Sequence, residues 1–150
     1  YKLSYKAREA AMLSLVASGA AEKQRYARVA YEQVEKICNE KGKRKIDSGY
    51  GLGRAMLSIG VAIPYDWCRD QWTADQRKLV EGAMSRALRA WTRYGHANLG
   101  DVKGSNWVAV CRGGEMIMLL ASGVDTSNAR YRRLKRDLIA HMKNGFGSLG

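Results

Sequence analysis

The segment Ala11–Gly19, AMLSLVASG, returns as Glu115–Gly123, EMIMLLASG, with Met, Leu, Ala, Ser and Gly in register. A third, shorter copy, AMLSI, stands at Ala55–Ile59. Each copy sits in an apolar run that is followed by a strongly charged one. A recurring pair of this kind cannot bury its apolar faces alone, so neighbouring pairs must stack side by side. Only one proline, Pro64, interrupts the 150 residues, which leaves long stretches free to be helical. No period-2 strand pattern competes.

The periodicity predicts six helices in three antiparallel hairpins. Their expected extents are residues 4–18, 21–40, 52–68, 73 to about 94, 105 to just before Gly123, and 126 or 127 to just before Gly145. Thr73-Ala-Asp-Gln76 has the form of a capping box, in which each side chain satisfies a backbone N–H of the other. The first helix of each hairpin is short of charge and rich in Ala, Ser, Gly and Met. The second is amphipathic, as in EKQRYARVAYEQVEKI, where Tyr26, Val29, Ala30, Val34 and Ile37 are expected to share a face. Odd helices are therefore expected inside and even helices outside. Such layering gives an α-solenoid or an arc of an α/α toroid, with a concave surface at the inner-helix ends. The expected organisation is one all-α domain over residues 1–150, with Gly113 and Gly114 allowing close helix approach.

Hydrophobic residues make up 46% of the chain, enough for a real core and too many for disorder. The formal net charge of +12 points to an anionic partner: nucleic acid, an anionic surface or an acidic polymer. Three well-separated cysteines, Cys38, Cys68 and Cys111, fit small core residues and show no zinc spacing. No apolar run reaches the roughly 18 residues that span a bilayer. The sequence opens at Tyr1 without Met or signal peptide and reads as a piece of something longer.

Chemistry-bearing residues gather in two places. AIPYDWCRDQW (Ala62–Trp72) sets Tyr65, Asp66 and Trp67 directly after Pro64. Either this is a kinked helix end with Trp67 in the core, or Tyr65 and Trp67 offer flat rings to a sugar or base. RYGHANLGDVKGSNW (Arg93–Trp107) places His96 and Asn98 among glycines in a long connection. Ser105 suits an N-cap, so Asn106 and Trp107 fall in the first turn, where N–H groups and the helix dipole favour an anion. Asn106 is then either a capping residue or a ligand contact. No nucleophile elbow, Walker loop or dinucleotide fingerprint is present, and GYGLG (Gly49–Gly53) follows no strand.

Two segments together resemble a known family. GVAIPYDWCRDQWTADQRKLVEGAMSRAL and GSNWVAVCRGGEMIMLLAS are similar, in order and separation, to segments of heparinase II/III-like and alginate-lyase-like polysaccharide lyases. The resemblance covers roughly residues 52–150. It implies an α/α toroid in a longer multidomain enzyme, periplasmic or secreted, with a β-sandwich following the toroid. It implies cleavage of uronate polysaccharides by β-elimination without cofactor or metal. The partner would be an acidic polysaccharide or oligosaccharide rather than nucleic acid, with no membrane span.

The chemistry explains the residue types. Removing the hydrogen next to a carboxylate would create a dianion, and a neutral donor at that carboxylate disperses the charge. A Tyr or His then moves the proton. The resemblance carries the neutralising role onto Asn106. Relatives with Asn-His differ from this chain, where Trp107 follows; His96 is a candidate imidazole without a motif match. Trp107, Tyr65 and Trp67 are candidate sugar platforms, and Arg112 and Lys103 candidate cations. The family's catalytic Tyr would fall after Gly150, so this segment is expected to lack it. Two further readings are a non-catalytic basic helical module binding nucleic acid or an acidic partner, and a glycoside hydrolase drawing on Asp66, Asp101 or Glu115.

Overall fold

The computed structural model describes residues 2–41, 45–48, 51–94 and 106–146, with the side chains of 92–94, 106–108 and 144–146 excepted. These residues form six α-helices: α1 Lys2–Val16, α2 Ala20–Asn39, α3 Leu52–Cys68, α4 Ala74–Tyr94, α5 Asn106–Ala121 and α6 Ala129–Phe146. A single 3-10 turn, Arg69–Gln71, joins α3 to α4, and no strand occurs among the described residues. The all-α reading of six packed helices is thus realised.

Local chemistry explains the helix ends. Thr73 N–H donates to Gln76 Oε1 at 2.9 Å and Gln76 N–H donates to Thr73 Oγ1 at 3.3 Å, so the capping box forms as expected. At the end of α5, Gly123 takes φ +79°. Its N–H bonds Leu120 O at 2.9 Å, and Val124 N–H bonds Leu119 O at 3.2 Å, which together make a Schellman motif. Val124 then packs on the core. The start of α6 differs from expectation. Asn128, not Thr126 or Ser127, caps it, its Oδ1 accepting from the N–H groups of Arg130 and Tyr131. Asp125 Oδ1 has already taken the Ser127 N–H at 2.6 Å in an Asx turn, which holds residues 125–127 outside the helix.

The helices form two layers. α3 lies between α1 and α5, while α2 rests on α1 and α3 and α4 rests on α3 and α5. α6 packs on α5. The three inner helices run parallel. Ser4 near the start of α1 meets Met56 and Gly60, and Ser14 near its end meets Cys68. Likewise Ala55 near the start of α3 touches Gly114, and Tyr65 near its end shares a cavity with Ala121. Two parallel strings of small residues make these seams. Ser4, Ala7, Ala11 and Ser14 are all buried along α1, and their spacing of three and four keeps them on one face.

Glycine is used unevenly at the seams. A Cβ on Gly60 would lie 2.1 Å from Ser4 Oγ, and one on Gly114 would meet the Ala55 backbone at 3.2 Å. Gly113 has nothing within 4 Å, so the close approach expected of the Gly113–Gly114 pair belongs to Gly114 alone. The repeat is also less regular than its sequence. The copies in α1 and α5 end their helices, but AMLSI opens α3. α2 is rotated from the expected seam: Ala27, Ala30, Tyr31, Val34 and Ile37 are buried, whereas Val29 is exposed and Tyr26 half-buried. The reason is Tyr31, whose ring meets Trp72 edge-on at 5.5 Å. Trp72 anchors the layers by donating its indole N–H to Ala27 O at 2.9 Å.

Candidate functional site

Because α3 and α5 are parallel, the two sequence clusters fall at opposite ends of the bundle. Asn106 is the first residue of α5, while Tyr65 and Trp67 stand in the last turn of α3, beside the last turn of α5. The sixteen residues of α5 span about 22 Å at ~1.5 Å per residue. Asn106 and the aromatic cluster therefore do not make one site. In sequence both lie near helix ends, and only the parallel packing of α3 and α5 decides which ends meet. Trp107 follows Asn106 in the first turn of α5. His96 and Lys103 lie outside the described residues, as do Asp101 and Ser105.

Arg112 does not face an open concavity. It is 7% exposed, and its guanidinium stands 3.7 Å from Glu115 Oε2 and 3.7 Å from Asp137 Oδ2. Glu115 is fully buried and bonded on its other oxygen by Arg130, with Nη2 at 2.6 Å and Nε at 2.8 Å. Arg130 Nη2 also donates to Leu88 O at 2.7 Å. Two arginines and two carboxylates thus brace α5 against α6 and α4 with balanced charge, as a buried ion pair requires. The network also absorbs Glu115 as a candidate hydrolase carboxylate. Asp66, the other described one, is exposed.

The aromatic end is more informative. Tyr65 is buried, its ring edge-on to Trp72 at 6.0 Å, and its hydroxyl donates to Glu81 Oε1 of α4. Burial first, then the Glu81 hydrogen bond and charge, push its phenol up to about 12. Trp67 is half-buried against the main core, which favours its packing reading. Tyr65 and Glu81 form one wall of a cavity of about 460 Å³. Arg69, Ser85, Arg89, Arg130 and Ser122 supply its other polar lining, and Met84, Leu88 and Ala121 its apolar part. Of these, sequence reading had picked out only Tyr65 as a binding residue. Glu81, Ser85 and Arg89 recur every four residues along α4, a stripe that in sequence looks like any solvated helix face.

Other chemistries find no support among the described residues. No group of three His, Cys, Asp or Glu side chains is placed to hold a metal. All three cysteines are buried and none forms a disulfide among the described residues, and burial pushes the Cys38 thiol up to about 12, so it stays protonated near neutral pH. No described helix is long and apolar enough to cross a membrane. No family model matches the sequence, and neither the curated proteins nor the solved structures offer a similar chain.

Proposed function

We propose that the chain is the helical, toroid-forming part of a lyase that cleaves an acidic, uronate-containing polysaccharide by β-elimination. The observation that carries this reading is the layering: three parallel inner helices in a row, backed by charged outer helices. An arc of this kind continues naturally into an α/α toroid. The motif segments fit it, YDW closing the central inner helix and NWVAVC opening the next. The +12 charge suits a polyanionic substrate.

In this reading the substrate carboxylate meets the N-terminal end of α5. The Asn106 amide neutralises it there, aided by the first-turn N–H groups and the helix dipole. Trp107 adds an aromatic surface, and His96 and Lys103 are the proposed imidazole and cation of the same site. The buried network of Arg112 keeps α5 fixed rather than binding substrate. The general base, a β-sandwich and an export route belong to the same proposal. The test is release of unsaturated uronate ends from a panel of uronate polymers by the full-length protein, with Asn106→Ala alongside. Loss of product with an unchanged circular dichroism spectrum is expected.

One observation favours a second reading. α6 exposes Arg132, Arg133, Lys135, Arg136 and Lys143, with Asp137 its sole acidic residue. A basic outer helix of this density suits a non-catalytic module that holds a polyanion such as nucleic acid. Arg132→Glu with Arg136→Glu would then weaken nucleic-acid binding and flatten its salt dependence, leaving any elimination unchanged.

A further inference from the structure

We infer that the cavity at the C-terminal ends of α3 and α5 is a binding site for a small polyhydroxylated carboxylate, of the size and type of a sugar acid. This goes beyond the elimination reading, which uses the other end of α5, and stands without it.

The lining decides the ligand class. The volume of about 460 Å³ falls in the usual range for small-molecule sites. Its polar groups are mixed in sign. Arg69 and Arg89 are exposed at the cavity, and Arg69 has no side-chain hydrogen bond or ion pair among the described residues. Arg130 is a fixed third cation. Glu115 and Leu88 O hold its Nε and Nη2, while Nη1 makes no hydrogen bond among the described residues. Such a guanidinium is preorganised, because its rotamer entropy is already lost before a ligand arrives. Opposed to these stands Glu81, which accepts from Tyr65 through Oε1. Hydroxyls come from Ser85 and Ser122, and Met84, Leu88 and Ala121 provide an apolar surface for C–H groups.

Each simpler ligand leaves part of this set unmatched. A bare sulfate or phosphate would suit the arginines but meet the Glu81 carboxylate. A neutral sugar would donate to Glu81 and the serines but leave the guanidiniums without an anion. A carboxylate on a carbon frame with neighbouring hydroxyls satisfies both, its carboxylate toward arginine and its hydroxyls toward Glu81. Gly123, held at φ +79° by the Schellman turn, keeps the rim free of a side chain.

The test is titration of the chain with sodium glucuronate, glucose and sodium sulfate at fixed ionic strength. Calorimetry gives the affinities and backbone amide shifts give the location. Glucuronate should bind at least about tenfold more tightly than glucose or sulfate, and Arg69→Ala and Arg89→Ala should each weaken it by about fivefold or more. Both side chains are exposed, so neither variant threatens the fold. The largest shifts should fall at Ser122 and Gly123. Equal affinity for the three ligands, or unchanged affinity in both arginine variants, would overturn the assignment. Shifts confined to Asn106 and its neighbours would also overturn it, while supporting the elimination reading; shifts at Ser122 and Gly123 without any elimination would do the reverse.

Discussion

Gly60→Ala should loosen the seam between α1 and α3. The new Cβ would lie 2.1 Å from Ser4 Oγ, 2.5 Å from Ser4 Cβ and 2.7 Å from Ser4 Cα. A rotamer change at Ser4 can move the hydroxyl but not the Cα, so α1 itself must shift by most of an ångström. Overpacking of this kind costs about 1–3 kcal/mol. The shift also strains the bond from Ser4 Oγ to Met56 O, now 2.6 Å, for a further ~1 kcal/mol. Against this, alanine gains about 1 kcal/mol over glycine within a helix. The net loss is about 1–3 kcal/mol, a fall in Tm of roughly 2–12 °C for a domain of this size. Gly113→Ala is the control, since its Cβ meets nothing within 4 Å and should gain about 0.5–1 kcal/mol from the same propensity. Urea unfolding followed by circular dichroism measures both. A Gly60→Ala protein as stable as Gly113→Ala would refute the close parallel packing of α1 on α3.

Glu115→Gln should destabilise the fold by about 3 kcal/mol, because Arg112 and Arg130 would keep their buried charge with less to offset it; a midpoint in urea equal to wild type would contradict this. Tyr31 and Tyr65 should ionise only near pH 12 in an ultraviolet tyrosinate titration, both phenols being pushed up to about 12, first by burial and then by Glu35 and Glu81 respectively. Their protonated forms favour the fold, so this contribution is intact below the unfolded value of about 10 and is lost as pH rises from there through about 12. Tyr65→Phe should remove part of that alkaline loss, and an unaltered pH profile of stability would count against the buried Tyr65–Glu81 pair.

The helices were legible because their signals are local. One proline, a true capping box and a charge-poor/charge-rich alternation fixed all six elements to within a few residues. What sequence could not show is relative height and rotation. AMLSI in α3 matches its copy in α1, yet the two sit turns apart, since Met56 of AMLSI meets Ser4 at the start of α1 and not the copy at its end. Tyr31 displaced Val29 from the α2 seam because Trp72, far along the chain, needed a partner. The candidate site suffered in the same way. Tyr65 drew notice as part of YDW, but Glu81, Arg89 and Arg130 acquire meaning only when four helices close around one cavity. Arg112, promising in sequence for its place after NWVAVC, is occupied by carboxylates three residues on and one helix away.

Elimination at the start of α5 remains a proposal. It is tested most directly by incubating the full-length protein, wild type and Asn106→Ala, with a panel of uronate polymers and following the ultraviolet absorbance of unsaturated ends. Product is expected from at least one polymer with wild type and none with the folded variant. Undiminished turnover by Asn106→Ala, or no product from any polymer with wild type, would contradict it.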